Sequence, residues 1–328
     1  MRPQQHIEIR RNLQLKTYDD QLWLTLSTQL FLSAVVFFLC SLPDWKMNLL
    51  AIPFLTTLMI RSFAIMHEAS HKSLTENLFI NDLLGEIHGC ICQLPFYPWK
   101  QSHLQHHKWS GNIQHDPVMA FLKIYPRLPL RTQKILTALW NSWIPVLAFV
   151  QQVVFWSVSI KMTRKNKNFR TMISLSLPLL FWGTMLFIAP LQITLLTFIP
   201  AVLLFYISIE VINFPHHLQI QTLSNEDHLP AREQDQTARS CQYPKFISKF
   251  IAMNFNLHCE HHMYPDVTWR ELPRITAAFA KENYTHNLDG YFSWILKNRS
   301  KDLEQVFFGD AVENQTEPYP IKLIDSAS

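Results

Sequence analysis

The residues best suited to chemistry lie in the stretch FAIMHEASHKSL, residues 63–74. His67, Glu68 and His71 fit the pattern H-E-x-x-H, in which two histidines one helical turn apart hold zinc and the glutamate acts as general base. Taken alone, this stretch predicts a hydrolytic zinc site. The other histidines of the chain favour a different use of these residues.

Two further histidine groups share the spacing H-x-x-H-H. They are HLQHH, with His103, His106 and His107, and HCEHH, with His258, His261 and His262. In NFPHH, Asn213 and His217 are four positions apart. Because positions i+3 and i+4 diverge around a helix axis, one H-x-x-H-H turn can present imidazoles to two ions. Structural zinc takes four ligands, so this many clustered histidines indicates a dinuclear centre.

Four apolar runs are long enough to carry these groups on membrane-spanning helices. The chain has 328 residues, of which 48% are hydrophobic, and its mean hydropathy is +0.01. Such values suit a chain that is partly in lipid and partly outside it. The runs cover residues 22–41, 47–66, 171–190 and 191–210. Each approaches the roughly 20 residues that a hydrocarbon core about 30 Å thick requires.

A fifth apolar run, residues 135–160, is predicted to lie in the membrane interface as one helix. Basic residues precede it within residues 123–134 and follow it within residues 161–170. The positive-inside rule therefore assigns both of its ends to the same side. The run also mixes tryptophans with Pro145 and polar residues, as interfacial helices do.

The same rule places the termini and the histidine groups in the cytoplasm, since Arg10, Arg11 and Lys16 precede the first span. We predict an all-α membrane protein with four transmembrane helices in two hairpins and a cytosolic helical cap holding the dinuclear site. Residues 1–310 are predicted to form one domain and residues 311–328 a polar tail. The predicted location is a bacterial inner membrane or the endoplasmic reticulum.

Composition excludes several other classes. A net charge of +4 gives no support to a nucleic-acid partner. With 6 glycines, none in a phosphate-binding pattern, a nucleotide loop is not expected. The 5 cysteines are scattered and favour free thiols over a disulfide framework. They also lack the spacing of an iron–sulfur site, and no cytochrome module is visible.

The histidine groups, taken together and in this order, resemble those of the membrane fatty acid desaturase and hydroxylase superfamily. The resemblance rests on HEASH, HLQHH and HCEHH, with membrane hairpins between the second and third groups, and on the sequence NFNLHCEHHMYPDV. It extends from about residue 22 to residue 275. Membership implies oxygen-dependent oxidation of an unactivated C–H bond in a lipid at a non-haem centre of two irons.

Carried over position by position, the resemblance implies nine iron ligands, with Asn213 holding a water near one iron. The implied ligands are His67, His71, His103, His106, His107, His217, His258, His261 and His262. The implied partners are a lipid acyl substrate, dioxygen, membrane lipid and a separate electron donor, either a ferredoxin or a b-type cytochrome. Acyl desaturation is the leading prediction. Hydroxylation and carotenoid oxidation remain open, because they use the same arrangement of histidine groups.

Other polar residues receive more ordinary assignments. Glu68, Glu260 and Asp116 can accept the distal N–H of metal-bound imidazoles, which fixes the ring tautomer. Arg61, near the inner end of an apolar run, either snorkels to the interface or has a function. Among the remaining histidines, His88, His115 and His216 are expected to be structural or to support the metal ligands without binding the metal. His6, His228 and His286 are expected to be surface residues.

Three alternatives remain beside the desaturase-like prediction. An intramembrane zinc protease would use the first histidine group and leave the other clustered histidines unexplained. A haem electron carrier would need histidines facing each other inside the bundle, whereas these follow the ends of the spans. A carboxylate-bridged di-iron bundle would need a second Glu-x-x-His motif and further glutamates.

Overall fold

The computed structural model describes residues 3–166, 168–220, 222–223 and 228–309. Helices dominate this part of the chain, and its paired strands are two residues long. The predicted polar tail at residues 311–328 lies outside the described residues.

The N-terminal half places a long helix, α3, among shorter neighbours. Its helices are α1 (Pro3–Leu13), α2 (Leu22–Ser41), α3 (Trp45–His71), α4 (Leu78–Ile91) and α5 (Phe96–Trp109). The side chain of Asp44 caps α3 by accepting a hydrogen bond from the backbone N–H of Lys46. Lys72 ends this helix with a left-handed backbone conformation, φ 63°. As a result, α3 continues from an apolar run through His67 and His71.

The middle of the chain departs from the sequence prediction. It contains 3₁₀ turns at Pro117–Met119 and Tyr125–Arg127, and the helices α6 (Ala120–Ile124), α7 (Leu130–Asn141) and α8 (Val146–Asn166). The single helix predicted for residues 135–160 is wrong, because residues 142–145 separate α7 from α8. Pro145 lacks a backbone N–H and disfavours helical geometry in the residue before it. Trp143 has a positive φ of 61°.

Four helices among the described residues are long and apolar enough to cross a membrane: α2, α3, α9 (Phe169–Ile188) and Leu191–His216. The last comprises α10 (Leu191–Ile193), a π-helical segment (Thr194–Phe198), α11 (Ile199–Asn213) and a 3₁₀ turn (Phe214–His216). The four predicted spans are therefore confirmed as helices of spanning length. α3 and α11 also extend beyond the predicted limits, towards the histidines.

The C-terminal part consists of short elements that carry the third histidine group. They are a 3₁₀ turn (Ala231–Gln236), β1 (Ser240–Cys241), a π-helical turn (Ile247–Ile251), α12 (His258–Met263), α13 (Leu272–Lys281), β2 (Leu288–Asp289), α14 (Ser293–Asn298) and α15 (Leu303–Phe308). β1 and β2 pair in parallel, with Ser240 opposite Leu288. Ser240 Oγ also accepts a hydrogen bond from the backbone N–H of Cys259, which connects β1 to the start of α12.

The most deeply embedded of the spanning helices is α3. In its apolar 18-residue stretch, 61% of the residues are buried inside the protein, against 22% in the corresponding stretches of α2 and α9. α3 packs against α2, α4 and α11. Phe37 on α2 and Phe187 on α9 are exposed instead, as lipid-facing side chains would be. The central helix is thus the one that delivers His67 and His71.

Polar side chains also meet inside this bundle. Arg61 is buried, its Nε lies 3.0 Å from Gln29 Oε1, and its guanidinium donates to the carbonyl of Phe250. It points inward, so snorkelling does not describe it. Ser62 Oγ lies 3.1 Å from Nδ1 of the buried His88, which places that histidine in a structural network.

Candidate metal centre

The histidine groups converge into two clusters. The five-histidine cluster contains His67, His71, His103, His107 and His261, and the four-histidine cluster contains His106, His217, His258 and His262. Within each cluster, one side-chain nitrogen per residue lies within 4.8 Å of the corresponding nitrogen of every other member. All nine histidines that the resemblance implied as ligands are therefore brought together.

The assignment of residues to clusters follows helical geometry. On α5, His103 and His107 are four positions apart and share one face, so both enter the five-histidine cluster. His106 is three positions after His103, lies on the other side of that face and enters the other cluster. On α12 the pair four positions apart, His258 and His262, enters the four-histidine cluster, and His261 enters the five-histidine cluster. Each H-x-x-H-H turn thus serves both clusters, as predicted.

Ring nitrogens meet closely in the four-histidine cluster. His106 Nε2 lies 3.1 Å from His217 Nε2 and 3.2 Å from His262 Nε2. His258 Nε2 lies 2.9 Å from His217 Nε2 and 3.1 Å from His262 Nε2. Ligands bound at about 2.1 Å from a common ion are themselves separated by about 3 Å. The spacing therefore fits one metal ion.

Hydrogen bonds at the opposite ring edge fix the tautomers. His106 Nδ1 lies 2.9 Å from Asp116 Oδ1, and His217 Nδ1 lies 3.1 Å from the carbonyl oxygen of Thr237. His262 Nδ1 lies 2.8 Å from Gln234 Oε1. These oxygens only accept, so the Nδ1 atoms carry the protons and the Nε2 lone pairs face one another. A cation between them removes that repulsion, and the residues present therefore fit a metal.

The five-histidine cluster is built in the same way but is less firmly held. His103 Nε2 lies 2.8 Å from His71 Nε2 and 3.1 Å from His107 Nε2, and His261 Nε2 lies 3.0 Å from His107 Nε2. His67 Nε2 and His107 Nδ1 are buried without a hydrogen-bond partner in the described part of the chain. An unpartnered buried nitrogen is costly, and a metal in the cluster would supply the missing partner of His67 Nε2.

Burial favours the neutral form of several clustered rings. Desolvation, reinforced by neighbouring imidazoles, holds the pKa of His103, His107 and His261 well below the usual value. The same causes lower the pKa of His258 and His262. Neutral imidazole is the form that binds a metal, so both clusters are ready for ligation near neutral pH.

The three acidic residues singled out in the sequence differ in their contacts. Asp116 bonds to His106, as predicted for a residue that orients a ligand. Glu68 Oε1 is 3.4 Å from His67 Nδ1, and Glu68 Oε2 accepts from Ser73 and from the backbone of Trp269. Glu260 accepts from the hydroxyls of Ser240 and Thr276 and lies 3.6 Å from His286. The prediction that Glu260 orients a clustered imidazole is therefore not supported by its contacts.

The remaining histidines fall outside both clusters. His115 packs against Trp109, and His216 is buried with its ring stacked on that of His258. His228 is exposed, as predicted. The surface assignment is wrong for His6, which is half-buried and stacks on Tyr264, and for His286, whose side chain is 7% exposed.

A largely apolar cavity of about 340 Å³ adjoins the clusters. Its lining includes His67 and His103 from the five-histidine cluster, His106 from the other cluster, and Asn213. Side chains of α8 and α11 also line it, among them Phe155, Phe205 and Tyr206. The cavity gives an apolar chain a place beside both clusters.

Sequence reasoning missed the polar partners that come from loops and turns. Gln234 and Thr237 hold two rings of the four-histidine cluster, yet no periodicity or spacing marks either residue. Trp99 stacks on His103 with ring centroids 4.7 Å apart. It lies four positions before His103 on α5, and this i, i+4 spacing is the one signal that would have found it.

Comparisons with known proteins agree with this site. A family model described as fatty acid desaturase matches residues 43–293. An omega-6 fatty acid desaturase of chloroplasts from Spinacia oleracea is 22% identical over 92% of this chain and 71% of its own length. An sn-1 oleoyl-lipid 12-desaturase from Picosynechococcus sp. is 23% identical over 84% of this chain and 81% of its own.

A shorter similarity involves an sn-1 acyl-lipid omega-3 desaturase (ferredoxin) from Nostoc sp., which is 35% identical over 54 residues, 16% of this chain and 15% of its own length. The family match covers most of the chain and spans all three histidine groups. With helices of membrane-spanning length and clustered histidines, it indicates a membrane-bound oxidoreductase. The chain belongs to the fatty acid desaturase family.

Proposed function

We propose that this protein is an oxygen-dependent acyl-lipid desaturase with two irons. The observation that carries the proposal is the pair of histidine clusters beside one largely apolar cavity. Nine imidazoles exceed the ligand needs of a single zinc, and imidazole is a suitable iron ligand. When bound, the two irons supply the activation of dioxygen and the removal of hydrogen from a methylene group.

The residues of the chain hold the site and the substrate. Asp116, Gln234 and the carbonyl of Thr237 keep their imidazoles oriented, so that each Nε2 lone pair points inward. The walls of the cavity exclude water and hold the acyl chain beside the clusters. Asn213, which lines this cavity, is proposed to hold a water near one metal.

The membrane arrangement is part of the proposal. Two helical hairpins cross the bilayer, with the termini and the histidine clusters on the cytoplasmic side. Residues 1–310 act as one domain. Electrons come from a separate protein, either a ferredoxin or a b-type cytochrome. A ferredoxin is named for one relative.

Other functions receive less support. A hydroxylase or ketolase would use the same clusters and differ in its product. A zinc protease based on His67 and His71 needs a glutamate free to activate water. The carboxylate of Glu68 instead bonds to Ser73 and Trp269, and three other histidines share the cluster with His67 and His71.

The test combines metal analysis with lipid profiling. The protein is purified anaerobically and assayed for iron and zinc, and it is also expressed in a host that supplies a ferredoxin. We expect about two irons per chain and new unsaturated acyl chains that require oxygen. Expression of the His262→Ala variant is the matched control and should give no product. A single zinc per chain with full activity would contradict the proposal.

A further inference from the structure

Three rings of the four-histidine cluster are fixed by hydrogen bonds at Nδ1, and one is not. His106, His217 and His262 bond through Nδ1 to a carboxylate, a carbonyl and an amide oxygen. His258 Nδ1 is buried and has no hydrogen-bond partner among the described residues. A different contact must therefore orient the ring of His258.

The neighbouring ring of His216 makes that contact. The two ring centroids are 4.2 Å apart and the planes differ by 11°, so the rings are stacked face to face. His216 is fully buried, and within the described part of the chain neither of its ring nitrogens has a hydrogen-bond partner. The flat face of His216 is therefore the part of it that acts on the cluster. Phe255 contacts both rings at an angle and helps to confine them.

We propose that His216 is a positioning residue, which orients His258 and stabilises its metal-bound form by ring stacking. An imidazole that binds a metal cation becomes electron-poor, and the face of a neutral aromatic ring attracts it. Contacts of this kind change affinity by about 3- to 30-fold. The inference rests on the proposed function, because it requires a metal in the four-histidine cluster.

Two substitutions at His216 separate stacking from ligation. His216→Phe keeps a flat ring and removes both nitrogens, whereas His216→Leu fills a similar volume without a ring. His88→Leu is the matched control, because His88 is also buried but bonds to Ser62, outside both clusters. Each variant is purified as the full chain, loaded with ferrous iron and mixed with a chelator, and iron release is followed over time. The His262→Ala variant identifies which release phase belongs to the four-histidine cluster.

We expect His216→Leu to release that iron about 3- to 30-fold faster than the wild type, while His216→Phe and His88→Leu resemble the wild type. If His216→Phe loses iron as fast as His216→Leu, a nitrogen of His216 is the active group and the inference is overturned. Unchanged release in His216→Leu also overturns it. A wild-type chain that retains no iron contradicts the proposed function instead, so the two failures give different results.

Discussion

The two histidine clusters use the same side chain but differ in how firmly it is held. Each ring of the four-histidine cluster is buried, and three are hydrogen-bonded to oxygens at the far edge. In the five-histidine cluster His71 is partly exposed, and the Nδ1 contact of His67 is long, at 3.4 Å. Because preoriented ligands lose less freedom on binding, the four-histidine cluster should retain its metal longer.

The largest expected effect is on the stability of the metal-free protein at low pH. It follows from the burial of imidazoles in both clusters. Burial lowers the pKa of His103, His107, His258, His261 and His262 from 6.5 in the folded chain. The unfolded chain therefore binds more protons below pH 6.5. The metal-free protein should lose stability steadily as the pH falls below that value. Thermal unfolding in detergent between about pH 7.5 and pH 5 measures this, and a flat profile would contradict it.

A ligand deletion in each cluster tests the comparison directly. His262→Ala leaves three imidazoles and should lose one metal and at least about 100-fold of the activity. His71→Ala leaves four imidazoles in its own cluster and should retain more metal. Metal content and lipid product are measured on both variants. If His262→Ala retained both metals and His71→Ala lost one, the expectation that the number of remaining imidazoles decides retention in these variants would be wrong.

Substitution of residues whose oxygens orient the rings should have smaller effects on metal affinity and activity. Asp116→Asn weakens the acceptor of His106 and should cost about 10- to 100-fold in metal affinity or activity. Glu68→Gln should cost less, because the contact of Glu68 with His67 is long. Excess iron should restore part of the activity in both variants. A metal-replete but inactive Glu68→Gln would revive the protease alternative.

The smallest effect is expected at Glu260, although it lies between histidines of both clusters. Its carboxylate bonds to Ser240 and Thr276. Glu260→Gln should therefore keep the metal content of the wild type and lower the free energy of unfolding by about 1 kcal/mol. His228→Ala, at an exposed ring, is the control and should change neither quantity. A loss of metal in Glu260→Gln would show that Glu260 orients a ligand after all.

Features that depend on spacing along one helix could be predicted from the sequence. The four spanning helices follow from apolar runs, and the division of His103, His106 and His107 between two clusters follows from helical periodicity. The partners Gln234 and Thr237 could not be predicted, because the folding of a distant loop brings them to the rings. The prediction for Glu260 lacks support for a similar reason, since the position of a residue between histidines in the sequence does not determine where its carboxylate points.

α3 is one continuous helix, so its length fixes the distance between its N-terminal end and the two histidines at its C-terminal end. Its 27 residues extend about 40 Å at 1.5 Å per residue, about 10 Å more than the hydrocarbon layer of a bilayer. His67 and His71 lie at the end of the same continuous helix as the apolar run, with no loop between the run and the two histidines. In the proposed arrangement, with α3 across the membrane and an acyl chain in the cavity, the thickness of the bilayer would set the depth of His67 and His71. It would thereby set which carbon of that chain lies beside the two clusters.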